Sequence, residues 1–124
     1  MNHKQILSLL FSFRAAGKGI AYCLRTQRNM KIHGAAAVIV LIFSRLLELS
    51  PGESCVLLLT IAAVWSAEML NTAIETVVDL VSPEYHPLAA IAKDVAAGAV
   101  LVMALAAVAV GLILFSPRIW LCIH

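Results

Sequence analysis

Apolar positions gather into three stretches separated by short polar breaks. From Val95 to Phe115 the chain runs 21 residues without a charge, enough for a helix to cross about 30 Å of hydrocarbon. Two earlier runs, Gly34 to Phe43 and Cys55 to Trp65, are shorter. The first extends through Leu46 and Leu47 if Arg45 snorkels outward. The second extends through Ala67, Met69, Leu70 and Ala73 if protein covers its polar face. Ser50-Pro51-Gly52 marks a tight turn with a helix start at Pro51. Ser82-Pro83-Glu84-Tyr85-His86-Pro87 is a second break with two prolines. The pattern predicts transmembrane helices over about 32–49, 53–81 and 87–116. Ahead of them, Ile6, Leu10, Phe13, Ile20 and Leu24 recur at helical spacing, with Arg14, Lys18 and Arg25 on one flank. That predicts a basic amphipathic helix over about 4–30, lying on a membrane surface.

Composition supports a membrane setting. The chain is 62% hydrophobic and 13% charged, against roughly half and a quarter in soluble domains. A small soluble domain has too much surface to cover for such a bias. The expectation is one all-α membrane domain over residues 1–124. Residues 1–13 lack the basic region, apolar core and cleavage site of a signal peptide.

The net charge of +2 is small but unevenly distributed. Lys4, Arg14, Lys18, Arg25, Arg28 and Lys31 precede the first apolar run, whereas only Arg45, Lys93 and Arg118 follow it. This bias places the N-terminus and the loop at 81–87 in the cytoplasm, and Trp120 suits the outer interface. Basic residues so few and so near a membrane segment exclude nucleic acid as an expected partner. Cys23, Cys55 and Cys122 form neither a metal motif nor a disulfide framework.

The candidate chemistry lies in Ala67 to Asp79. On a helix, Glu68, Asn71, Glu75 and Asp79 fall within a sector of roughly 80°. Such a stripe could join helices by hydrogen bonds. Three acids with no base on the same face would repel, however, and a divalent cation suits carboxylate oxygens. Lys93 and Asp94 open the third apolar helix at the same level as Glu75 and Asp79. Carboxylates for a metal and a lysine for phosphate suggest a nucleotide site, since phosphoryl transfer needs chiefly positioning and charge neutralisation. Gly17-Lys18-Gly19 is too short for a phosphate loop of the Walker type.

Glu68-Met-Leu-Asn-Thr-Ala-Ile-Glu75, Val78-Asp79 and Ala92-Lys93-Asp94-Val-Ala-Ala-Gly-Ala-Val-Leu101 resemble the signature of the small bacterial membrane lipid kinases, the prokaryotic diacylglycerol kinase and undecaprenol kinase family. Arg28-Asn29-Met30-Lys31-Ile32-His33 and Glu84-Tyr85-His86-Pro87-Leu88 look more like the undecaprenol kinase branch. The resemblance implies a homotrimer of protomers with three transmembrane helices and a surface helix, in the bacterial cytoplasmic membrane, with active sites on the cytoplasmic side. It implies Glu68 as general base toward the lipid hydroxyl, with Asn71 orienting either that carboxylate or the hydroxyl. Glu75 would hold magnesium between the ATP phosphates. Glu84, Tyr85, His86, Lys93 and Asp94 would contact ATP together with Glu75, and Asp79 would support them. At Gln27 the family usually carries a second metal-binding glutamate, and an amide oxygen is a poorer magnesium ligand.

The expected activity is ATP- and magnesium-dependent phosphorylation of a membrane lipid alcohol, undecaprenol first and diacylglycerol as the alternative. A non-catalytic trimeric membrane protein is the reading from another class. Proton conduction would need acids continuing outward, and Val95 to Phe115 supplies none.

Overall fold

A computed structural model describes residues 2–123, the side chain of His3 excepted, and is helical almost throughout. The order is α1 (His3–Thr26), α2 (Arg28–Leu46), α3 (Pro51–Val81) and α4 (Pro87–Ile123). All four helices are long and apolar enough to cross a membrane. For α1 this adds a capacity that the amphipathic pattern did not require.

Each boundary has a local cause, except the first. Gln27 alone separates α1 from α2, in extended conformation (φ −93°, ψ 120°). Its N–H still donates to Cys23 O at 2.9 Å, and its carbonyl accepts from Lys31 N at 3.3 Å. No proline or glycine marks the break, which falls four residues before the boundary expected near 30–32. Residues 4–20 of α1 are exposed, and its buried face begins only near Cys23, so the chain turns where it joins the bundle.

α2 ends three residues before the expected 49. Glu48 sits in the left-handed region (φ 50°), and Leu49 N–H reaches back to Ser44 O at 3.0 Å. That six-to-one closure is the stop usually built around glycine. α3 opens with a reciprocal cap. Ser50 N–H donates to Glu53 Oε2 at 2.8 Å, and Glu53 N–H donates to Ser50 Oγ at 3.3 Å, with Pro51 at the first helical position. α4 runs seven residues past the expected 116, straight through Pro117. Proline costs a soluble helix about 3 kcal/mol; in apolar surroundings side chains and neighbouring helices re-satisfy freed backbone groups. The carbonyl that Pro117 frees is that of Ile113; one residue on, the Arg118 guanidinium donates to Leu114 O at 3.1 Å.

The strongest packing is between α3 and α4, which run antiparallel. Leu57, Val64, Glu68 and Thr72 are buried on α3, and Ala96, Val100 and Leu114 on α4. An ion pair closes each end of the seam. At one end Arg118 binds Glu53 through both nitrogens, at 2.9 and 2.6 Å. At the other, Lys93 Nζ donates to Asp79 Oδ1. α2 packs on α3, and α1 touches both. Met30, at the start of α2, is fully buried.

Candidate functional site

The register fixed by the two ion pairs puts the middle of α3 opposite apolar residues of α4. Ala97, Val100, Leu101 and Ala104 form one wall of a cleft of about 330 Å³, lined from α3 by Glu68, Asn71 and Glu75. The opposite wall is the first turns of α2: Asn29, Ile32 and His33. Three residues of the expected stripe therefore share one cavity, as their spacing on one helix face required.

Glu68 is the deepest of them, with 3% of its side chain exposed. It lies one turn below Thr72, whose Oγ1 donates to Glu68 O at 2.9 Å. Thr76 repeats the bond to Thr72 O at 2.8 Å. These hydroxyls are satisfied within their own helix and leave the cleft to the carboxylates. Glu68 Oε1 stands 3.2 Å from His33 Nε2, yet the ring is not aligned for a hydrogen bond and Oε1 has no such partner among the described residues. Asn71 Nδ2 donates to Glu75 Oε1 at 3.0 Å, while Asn71 Oδ1 is buried without a partner. Buried polar atoms are rarely left unpaired. Two such oxygens in one cleft, beside a half-buried carboxylate, leave acceptors ready for a ligand.

Asp79, Glu84, Tyr85, His86 and Lys93 line a second hollow, of about 210 Å³, where the α3–α4 loop folds over the helix ends. Several of its residues are already engaged. Lys93 is paired with Asp79, Ser82 Oγ donates to Glu84 O at 3.0 Å, and His86 Nδ1 accepts from Leu88 N at 3.2 Å. His86 thus caps the start of α4. Asp94 is exposed and lines neither hollow. Gln27 also lies outside the cleft lining, and its Nε2 donates to Thr26 Oγ1 at 3.3 Å.

The donor set suits a hard cation only in part. Among the described residues, no three His, Cys, Asp or Glu side chains are grouped to hold a metal by themselves. Glu75 and the unpaired Asn71 oxygen are two oxygen donors, too few alone for magnesium, which usually takes its remaining ligands from phosphate and water.

Asn29 and His33 line the cleft although the sequence alone gives neither a role there. Their i, i+4 spacing puts both on one face of α2, and only the packing of α2 on α3 shows that this face meets Glu68 and Glu75.

Comparison with known proteins supports the same chemistry. A family model described as prokaryotic diacylglycerol kinase matches residues 14–115. The undecaprenol kinase of Bacillus subtilis is 47% identical over 119 residues, covering 95% of this chain and 97% of its own. A diacylglycerol kinase of Synechocystis sp. is 51% identical over 111 residues, covering 89% of this chain and 63% of its own. The diacylglycerol kinase of Escherichia coli is 32% identical over 98 residues, with 77% and 80% covered. With a buried carboxylate cleft in apolar helices and a match that runs from Arg14 to Phe115, this chain belongs to the prokaryotic diacylglycerol kinase family.

Proposed function

We propose that the protein transfers the γ-phosphoryl group of ATP to the hydroxyl of a membrane lipid, with undecaprenol as the acceptor. The observation that carries this reading is Glu68, a carboxylate almost wholly buried among apolar helices with an unpaired oxygen facing a cleft. Ionisable groups at such depth mark function rather than packing. Glu68 takes the proton of the lipid hydroxyl, whose oxygen then attacks the γ-phosphorus while the bond to ADP breaks. Asn71 orients Glu75 through its amide. Glu75 would hold magnesium, with Gln27 reaching it through its amide oxygen once nucleotide is bound. That ion supplies charge neutralisation on the phosphates. Lys93 exchanges Asp79 for phosphate, and Glu84, Tyr85, His86 and Asp94 border the nucleotide.

Asn29 and Glu75 put one end of the cleft nearest the α1–α2 junction and the α3–α4 loop, the end beside which Arg14, Lys18, Arg25, Arg28 and Lys31 cluster in sequence. The positive-inside rule makes that end cytoplasmic, where ATP is available. α1 lies along the surface there, its basic flank toward lipid headgroups. The described chain exposes 9174 Å², against about 6,400 Å² for a compact soluble protein of this mass. A lone protomer therefore leaves a large apolar area for lipid and for other copies, consistent with a homotrimer. Undecaprenol is favoured because the Bacillus enzyme matches nearly end to end. Diacylglycerol is the second reading, favoured by the higher identity to the Synechocystis enzyme. Lipid-dependent ADP release in mixed micelles, with each lipid offered separately, tests both.

A further inference from the structure

A base that takes a proton at each turnover must also lose it, and Glu68 is nearly sealed from water. The walls around it limit where the proton can go. From α4 the cleft receives only Ala97, Val100, Leu101 and Ala104, none of which titrates. From α3 it receives Asn71 and, two turns away along the helix, Glu75. From α2 it receives Asn29, Ile32 and His33. His33 is thus the one basic side chain in the lining. Its Nε2 is 3.2 Å from Glu68 Oε1, so a turn of the ring into line completes the contact, and 23% of the imidazole is exposed, against 3% of the carboxylate. The ring also borders the apolar groove between α2, α3 and α4, formed in part by Ala37, Val64 and Trp65. It stands where the polar cleft meets the apolar one, beside the place an acceptor hydroxyl would occupy.

We infer that His33 is the proton outlet of Glu68: a positioning residue that acts through the base and carries the abstracted proton to water. The inference rests on Glu68 being the base proposed above. The lipid hydroxyl gives its proton to the Glu68 carboxylate as its oxygen bonds the γ-phosphorus and ADP departs. Glu68 then passes that proton to Nε2 of neutral His33. The imidazolium gives up the proton on Nδ1 to water, and exchange with water restores the starting tautomer. No further reactant is needed. Imidazole suits the step because its ordinary pKa is near neutrality.

The test is steady-state ADP release by the full-length protein in mixed micelles with Mg-ATP and undecaprenol, comparing wild type, His33→Ala, His33→Gln and Glu68→Gln. A relay predicts that His33→Ala and His33→Gln both lose at least about tenfold in kcat, with unchanged KM for ATP and lipid. Glutamine fills the place of the ring but cannot carry a proton. Imidazole added to the assay restores kcat to His33→Ala and not to Glu68→Gln, which also shows that the alanine variant is folded. Wild-type kcat in His33→Gln overturns the relay and leaves His33 a packing or hydrogen-bonding group. Failure of imidazole to raise His33→Ala overturns it as well. If wild type itself shows no lipid-dependent turnover, the kinase reading fails and the relay falls with it, a result distinct from either of these.

Discussion

Replacing Asn71 with leucine removes its hydrogen bond to Glu75 together with the unpaired Oδ1, and leaves the helix around it intact, since leucine is the better helix former. Asn71 Nδ2 donates to Glu75 Oε1 at 3.0 Å in a partly buried setting. A hydrogen bond to a charged group is worth about 1.5–3 kcal/mol. At about 1.4 kcal/mol per factor of ten, its loss lowers kcat/KM for Mg-ATP by about tenfold to 150-fold. The lower end applies if the freed carboxylate finds a water in the 330 Å³ cleft. The assay is lipid-dependent ADP release at saturating lipid, titrating Mg-ATP, with circular dichroism to show unchanged helix content. A loss in kcat/KM with helicity intact agrees with Asn71 holding Glu75 in place. An unchanged or improved kcat/KM refutes that role, since the amide would then be idle or in competition with the ligand.

Other outcomes follow from the same geometry. Gln27→Glu supplies a carboxylate where the chain has an amide, and should lower the magnesium concentration for half-maximal activity; an identical titration curve removes residue 27 from the metal site. Lys93→Met should raise KM for ATP more than it lowers kcat, measured by varying ATP at fixed free magnesium, because the lysine is proposed to exchange Asp79 for phosphate. Glu48→Gly removes the left-handed strain at the α2 stop, roughly 1 kcal/mol. It should raise the thermal midpoint in micelles by about 4 °C with kcat unchanged.

Much of the helical organisation was legible because hydrophobic length and proline position act locally. Pro51 behind Ser50 fixes the start of α3, and Pro83 and Pro87 bracket the loop before α4. The break at Gln27 was not legible there, because no local breaker marks it and it falls where α1 begins to bury residues. Pro117 reads as a stop by local rules, yet α4 continues through it, beside the Glu53–Arg118 pair that joins positions 65 residues apart in sequence. For the site, helical spacing was enough to place Glu68, Asn71 and Glu75 in one cleft. Spacing within α3 says nothing about which residues of α2 face it. That is why Asn29 and His33 emerge only from the packing, and why Lys93 turns out to be held by Asp79.

The most direct test of the central claim is ADP release with undecaprenol, with diacylglycerol and without lipid, for wild type and Glu68→Gln. Lipid-dependent turnover by wild type, reduced at least about a hundredfold in Glu68→Gln at unchanged oligomeric size, is the predicted result. Equal turnover in both proteins, or none in wild type at any magnesium level, would contradict Glu68 as the base of a lipid kinase.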